Sequence, residues 1–246
     1  MTLRVPVVGL AEGRSRPTPE LLRYVKDVHR TRPEAVFTVF DPARAVEADA
    51  TLAADGREAW LVVGALRPAA VRARVPLVLV QGLAKGDKCD AIVRDAAELG
   101  ASEVRFVVTA RSVAKPDDAR SKARLDRWRR IAIEAARQAT RGDAPRVELH
   151  GGLGDALEAL TEGSARFVLD PAAPRRLGGD LTRILSEGAP DSGIALAAGP
   201  EGGLDEGELL LFERHGFQRR AIGPFVLRTE TVAAAILGAV RVLARD

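Results

Sequence analysis

Two short stretches near the carboxyl end of this 246-residue chain carry residue types that do chemistry. They are Gly199-Pro200-Glu201-Gly202-Gly203 and Ile222-Gly223-Pro224-Phe225-Val226-Leu227-Arg228-Thr229-Glu230. In the first, three glycines let the backbone approach a ligand or turn through positive φ, and Pro200 holds Gly199 extended. The Lys-Ser/Thr pair of a P-loop is missing, and Glu201 would repel an anion. The stretch suits a neutral or cationic ligand with hydroxyls; an ordinary strand–turn–helix connection is the alternative. In the second, Arg228 stands before an apolar helix expected from Val232 to Leu243. A cation at that positive dipole end costs roughly 0.3–1 kcal/mol. A residue held against its local preference points to function, and a salt bridge to Glu230 or Glu201 is the structural alternative. Thr229 is the expected N-cap.

The elements that must position these stretches read as alternating strands and helices. Ile194 to Gly199 is a buried strand; Asp205 caps the helix after it, with Glu208 completing a capping box and Gly216 stopping it. The two stretches are expected to end two neighbouring strands, and ligands of open α/β sheets bind outside carboxyl strand ends. Upstream, Leu77 to Val80 reads as a strand buried on both faces of a parallel sheet. A helix capped by Asp87 follows, running to Leu99 with Gly100 at its end, and Glu103 to Val108 is the next strand. Arg166 to Pro171 reads as a strand ending in a turn, and Asp180 to Glu187 as a short helix.

Residues 1–70 have another rhythm. Leu3–Gly9, Ala35–Phe40, Ala45–Ala53 and Ala59–Gly64 read as short strands, and Pro19–Arg30 as an amphipathic helix. Close spacing of strands suggests a small β-barrel, and Pro68 to Pro76 a linker. Arg14, Arg16, Arg23, Lys26, Arg30 and Arg32 are candidate phosphate contacts or scattered surface charge.

Lys and Arg total 37 against 34 Asp and Glu, a net charge of +3. That balance says little, but its distribution is uneven. Residues 111–141 hold ten basic residues (Arg111, Lys115, Arg120, Lys122, Arg124, Arg127, Arg129, Arg130, Arg137, Arg141) against four acids. Trp128, Ile131, Ala135 and Gln138 recur at helical spacing, so an amphipathic helix carries the charge. A localised cationic face is the footprint of phosphate contacts, with a solvated helix face as the alternative. One cysteine excludes an internal disulfide framework, and no Cys/His spacing resembles a metal site. No apolar run is long enough to span a bilayer and no leader pattern opens the chain, so a cytoplasmic protein is expected.

The carboxyl-terminal pattern, GPEGG, an acidic helix, Gly-Phe and then IGPFVLRTET, resembles the end of the ribosomal RNA small-subunit methyltransferase E (RsmE) family, of the knotted SPOUT class. Ile222 and Val232 stand where Leu and Ala are usual. LAKGDKCDAIVRDAAELGA resembles the family's KGDR-M-D-…-ELG segment, with Cys89 read as a buried hydrophobe. RWRRIAIEAARQATRGDAPRV resembles its RW-x-x-I-x-x-EA segment, with Arg137 replacing Glu.

The resemblance implies an α/β fold: a C-terminal SPOUT trefoil-knot methyltransferase domain over residues 74–246, and a small PUA-like β-barrel binding RNA over residues 1–70. It implies methyl transfer from S-adenosyl-L-methionine to N3 of a uridine in 16S rRNA near the decoding centre, by a homodimer acting on 16S rRNA or the 30S subunit. The cofactor would be held by Leu169, Gly199, Glu201, Gly202, Gly203, Ile222, Gly223, Val226 and Leu227. RNA would meet Arg111, Arg120, Lys122, Arg124, Gln138 and Arg141, the positions of Gln138 and Arg141 lying near the cleft in such proteins. Arg228 would stabilise the developing uridine anion, since a guanidinium is no base; Glu230 or Glu201 would take the proton or only orient Arg228 or a ribose hydroxyl. Gly238 makes the last helix a candidate dimer element. A ribose 2′-O-methyltransferase of the same class, or a non-catalytic RNA-binding assembly factor, remains the alternative.

Overall fold

The computed structural model describes residues 3–29, 32, 34–55, 58–112, 118–158 and 160–244. The chain divides into two compact units, one of residues 1–72 with 136–144, the other of residues 73–135 with 145–246.

The first unit contains β1 (Arg4–Pro6), β2 (Gly13–Ser15), α1 (Pro19–Arg23), β3 (Phe37–Asp41), β4 (Val46–Asp55), β5 (Glu58–Val63) and β6 (Arg67–Pro68). They make one sheet in the order β1-β3-β4-β5-β2, with β6 on β4. Only the β1–β3 pairing is parallel. Alternation works as physics requires: Leu61 and Val63 of β5 are buried and Val62 is exposed. They join Val5, Leu10, Leu21, Val25, Phe37, Val39, Ala48 and Ala50 in one core. The predicted strand Leu3–Gly9 shrinks to β1, because the chain turns at Gly9, φ +71°. The predicted helix Pro19–Arg30 is α1, capped by Thr18, whose hydroxyl accepts from Leu21 N. It loosens into a π-turn at Tyr24–Val28, and Arg30 lies outside the described residues. Strand β2 is exposed throughout, so it has no hydrophobic pattern to read.

Residues 136–144 are bound into this unit by several ties. Ala144 N donates to Pro42 O and Gly142 N to Val71 O, each at about 3 Å. Arg137 donates to the Tyr24 hydroxyl and lies 4.9 Å over its ring. A Cβ at Gly142 would sit 2.3 Å from Ala69 Cβ.

The second unit alternates β7 (Leu77–Gly82), α2 (Lys88–Glu98), β8 (Glu103–Val107), α3 (Asp118–Gln138, whose residues from Ala136 on belong to the first unit), β9 (Arg146–His150), α4 (Leu153–Glu158), β10 (Ala165–Leu169), α5 (Leu177–Glu187), β11 (Ile194–Ala198), α6 (Glu206–Arg214), β12 (Gln218–Arg220) and α7 (Thr229–Leu243). All six strands are parallel, in the order β12-β10-β11-β7-β8-β9. Consecutive strand residues point to opposite faces, so each apolar strand feeds two cores. Leu77, Leu79, Leu196 and Phe106 pack with α2, α5 and α7 residues such as Ile92, Leu181 and Ile236. Val80, Val107, Ala195 and Ala197 pack against Leu157 of α4 and Phe212 of α6.

One expectation fails here. The strands that end in the two glycine-containing stretches, β11 and β12, are not neighbours: β10 lies between them and pairs with both. Local pattern gives a strand's existence, but its place in the sheet depends on long-range pairing that no short stretch encodes. Because every strand is parallel, the carboxyl ends of β10, β11 and β12 nonetheless share one edge.

Candidate functional site

At that edge the second unit encloses a cavity of about 630 Å³. Its walls are three strand-end loops: Leu169–Ala172 after β10, Ala198–Leu204 after β11, and the run from Arg220 to Thr229 that leads from β12 into α7. Every residue expected to hold a cofactor lines it: Leu169, Gly199, Glu201, Gly202, Gly203, Ile222, Gly223, Val226 and Leu227. Arg228 lines it as well, with Lys88 and Arg111.

The β11 loop is packed so tightly that side chains are excluded at defined points. A Cβ on Gly82, at the end of β7, would meet Pro200 Cδ at 2.4 Å and Pro200 N at 2.6 Å. A Cβ on Gly199 would meet the Gly203 carbonyl carbon at 2.9 Å, and Gly203 itself takes φ +70°. Those glycines fold the loop back on itself. Its far end enters α6 through a capping box: Asp205 Oδ1 accepts from Glu208 N at 2.8 Å, and Glu208 Oε2 accepts from Asp205 N at 2.9 Å. Gly216, φ +80°, follows the end of that helix.

Hydrogen bonds tie this loop to its surroundings. Gln81, fully buried on β7, directs Nε2 to Gly199 O at 3.0 Å and to Thr229 Oγ1 at 2.8 Å. The Thr229 hydroxyl donates to Gly199 O at 2.7 Å. Thr229 is therefore the first residue of α7 and not its side-chain cap; its hydroxyl is spent joining the helix to the glycine loop. Arg111 Nη1 donates to Gly202 O at 2.9 Å and to Leu204 O at 3.4 Å.

The acids take a partner that the sequence reading missed. Lys88, the first residue of α2, places Nζ 3.0 Å from Glu201 Oε1 and 3.7 Å from Glu230 Oε2. Glu201 Oε1 also accepts from Lys85 N at 3.2 Å. Burial pushes the Glu201 carboxyl up, but hydrogen bonds from its own backbone, Lys88 and Lys85 outweigh it and hold the group below the usual carboxylate range. The Glu201 hydrogen bond, against some desolvation, raises Lys88. Glu230 sits in the first turn of α7, outside the cavity lining, and its Oε2 is enclosed without a hydrogen-bond donor among the described residues. The alternative reading, a salt bridge from Arg228 to Glu201 or Glu230, does not form: Lys88 occupies both acids, and the exposed Arg228 side chain makes no hydrogen bond or ion pair among the described residues. The signal for Lys88 was present, since a lysine at the positive end of a helix is also placed against its preference.

The cationic residues separate. Arg111 belongs to the cavity. Arg120 and Lys122 are exposed on α3; Arg124 is half-buried and lines a hollow of about 270 Å³ with Cys89, Asp90 and Trp128. Lys115 lies outside the described residues. Gln138 is exposed and belongs to the first unit. Arg141, expected to meet RNA, needs correction: it is only 4% exposed and its guanidinium is held by Asp143 at 2.8 and 3.0 Å, so its charge is spent internally. In the first unit, Arg14 and Arg16 stack on the Trp60 ring at 4.4 and 5.6 Å, and Arg16 also pairs with Glu58. Cys89 is buried, and burial pushes its thiol up to about 12, which suits a packing role and not a nucleophile. Among the described residues no three His, Cys, Asp or Glu side chains gather as a metal site, and no helix is long and apolar enough to cross a membrane.

Known proteins resemble this chain in sequence and fold. Two relatives, both named ribosomal RNA small subunit methyltransferase E, come from Bacillus subtilis, 32% identical over 68% of this chain, and Mycobacterium bovis, 36% identical over 69%. The matches cover 65% and 64% of those relatives, just under two thirds of their length. The structure of ribosomal RNA small subunit methyltransferase E from Neisseria gonorrhoeae bound to S-adenosyl methionine superposes with a TM-score of 0.83 at 25% identity, covering 99% of this chain and 98% of that one. A Legionella pneumophila protein in complex with the bound cofactor SAM shares the fold, with a TM-score of 0.84 at 24% identity, over 100% of this chain and 99% of that one. Residues 71–241 match the model of the RNA methyltransferase domain, and the chain belongs to that family.

Proposed function

We propose that this protein transfers a methyl group from S-adenosylmethionine to N3 of a uridine in 16S rRNA near the decoding centre. The observation that carries the reading is the convergence on one cavity of three strand-end loops, two of them glycine-containing, with an Arg228 side chain that has no partner among the described residues. Its volume, about 630 Å³, lies within the range of roughly 300–1,000 Å³ that encloses a ligand of this size. Close backbone approach at Gly199, Gly202 and Gly203 and apolar walls at Leu169, Ile222, Val226 and Leu227 fit a nucleoside. Glu201 fits a sulfonium-bearing cation better than an anion. The names of the relatives from Bacillus subtilis and Neisseria gonorrhoeae support the same reading.

When bound, S-adenosylmethionine supplies an electrophilic methyl group. The chain's own residues have the remaining work. Uracil N3 carries a proton that must leave before N3 is alkylated. Arg228, with five donors and no side-chain partner among the described residues, stabilises the oxygen-centred charge of the uridine anion as it develops. Glu230, whose Oε2 is enclosed with no hydrogen bond among the described residues and has Lys88 Nζ 3.7 Å away, is assigned as the proton acceptor; Glu201 stays ionised and braces the loop. Fixing donor and acceptor in line contributes much of the acceleration.

The exposed cations of α3, Arg120 and Lys122 with half-buried Arg124, are assigned to rRNA phosphates. Residues 1–70 are assigned as a PUA-like RNA-binding module, and residues 74–246 as a knotted SPOUT domain. A homodimer would use the outward face of α7, where Gly238 has open space beside its Cα and Val242 is 84% exposed. A cytoplasmic location follows from a ribosomal substrate. The test is digestion and mass spectrometry of 16S rRNA from a strain lacking the gene, before and after treatment with purified protein and cofactor. Appearance of 3-methyluridine is expected. A nuclease-resistant ribose methyl would assign a 2′-O-methyltransferase instead, and failure to bind the cofactor an assembly factor.

A further inference from the structure

Arg228 is useful to an anion only if nothing inside the protein claims it first. Two carboxylates, Glu201 and Glu230, are within the reach of Lys88, and the Arg228 charge itself acts on that ammonium. Arg228 lines the same cavity as Lys88 and Glu201 and stands two residues before Glu230, so both acids are placed to attract it. Lys88 removes that attraction by lying against both acids, at 3.0 and 3.7 Å. It does so from a place costly to itself, the N-terminal turn of α2. Lys88 also joins two cavity elements, the glycine loop through Glu201 and the start of α7 through Glu230.

We propose that Lys88 is a positioning residue: by occupying Glu201 and Glu230 it keeps Arg228 uncommitted and aimed at the substrate. This rests on the assignment of Arg228 above. Arginine at position 88 can hold both acids; methionine fills the same volume without charge. Lys88→Met should lower kcat about 100-fold, the scale of a misplaced catalytic group, with little change in cofactor Kd by calorimetry or in KM for rRNA. Lys88→Arg should recover most of the rate. A rate unaffected by Lys88→Met, an equal loss of cofactor affinity, or no recovery with Lys88→Arg would overturn the proposal. A crystal structure of the Lys88→Met protein supplies a second readout that needs no activity. Arg228 paired with Glu201 or Glu230 is the expected result, and Arg228 still unpaired overturns the proposal. Should the unaltered protein methylate no uridine, the function proposed above fails, and the crystal structure still decides whether Lys88 keeps Arg228 free.

Discussion

The two long walls of the cavity are built on opposite plans. The loop from Ala198 to Leu204 is held by Gln81, Thr229, Arg111, Lys85 and Lys88, and its Gly199 packs against the Gly203–Leu204 backbone with no room for a Cβ. Residues 222–227 make no hydrogen bond among the described residues, and Phe225 and Val226 stand 78% and 85% exposed. One wall is preorganised; the other offers apolar surface that only a ligand or partner would cover. The difference teaches where binding energy is used: little is needed to shape the first wall, while ordering the second is drawn from the ligand. Arg228, at the end of the sparsely bonded wall, is where that ordering would act on chemistry.

Substitutions break or sharpen this contrast, and the largest effect is expected at Arg228. Arg228→Ala should reduce kcat by about 100- to 1,000-fold, while calorimetry finds cofactor affinity nearly intact; an equal loss of affinity would make it a cofactor ligand. Next comes Gly82→Ala, which drives a methyl group into Pro200. Thermal or urea unfolding should show a loss of about 1–3 kcal/mol, with cofactor affinity falling too because the rigid wall has moved. Asp205→Ala removes one half of the α6 capping box and should cost about 1 kcal/mol in the same unfolding measurement. Smallest for stability is Phe225→Ala, within about 0.5 kcal/mol, yet it should weaken cofactor or RNA binding. If Phe225→Ala instead destabilised the protein, the second wall would be structural and the contrast would dissolve.

The sequence revealed the parts of this site that are local. The capping box of Asp205 and Glu208, the stop at Gly216, the buried strands β7 and β11 and the two glycine stretches all follow from spacing and residue type. What it could not reveal depends on residues distant in the chain. The insertion of β10 between β11 and β12 is set by pairing across the sheet. Thr229 reads as an N-cap until Gly199 O is brought beside it, and Lys88 reads as a surface charge until Glu201 and Glu230 arrive. Arg141 shows the converse: a basic residue in a basic run reads as a nucleic-acid contact, and two positions further on Asp143 neutralises it.

The segment 136–144 has a consequence for the order in which the protein is made. Its backbone bonds to Pro42 and Val71 and the seat of Gly142 against Ala69 belong to the first unit, although more than sixty residues of the second unit separate it from residue 72. On a ribosome, where chains emerge amino end first, the sheet of β1 to β6 waits for a piece that leaves the exit tunnel only after β7, β8 and α3. Neither unit is complete before the other has begun, so a nascent chain halted in α3 would be left with its amino-terminal sheet still open to solvent where that segment belongs.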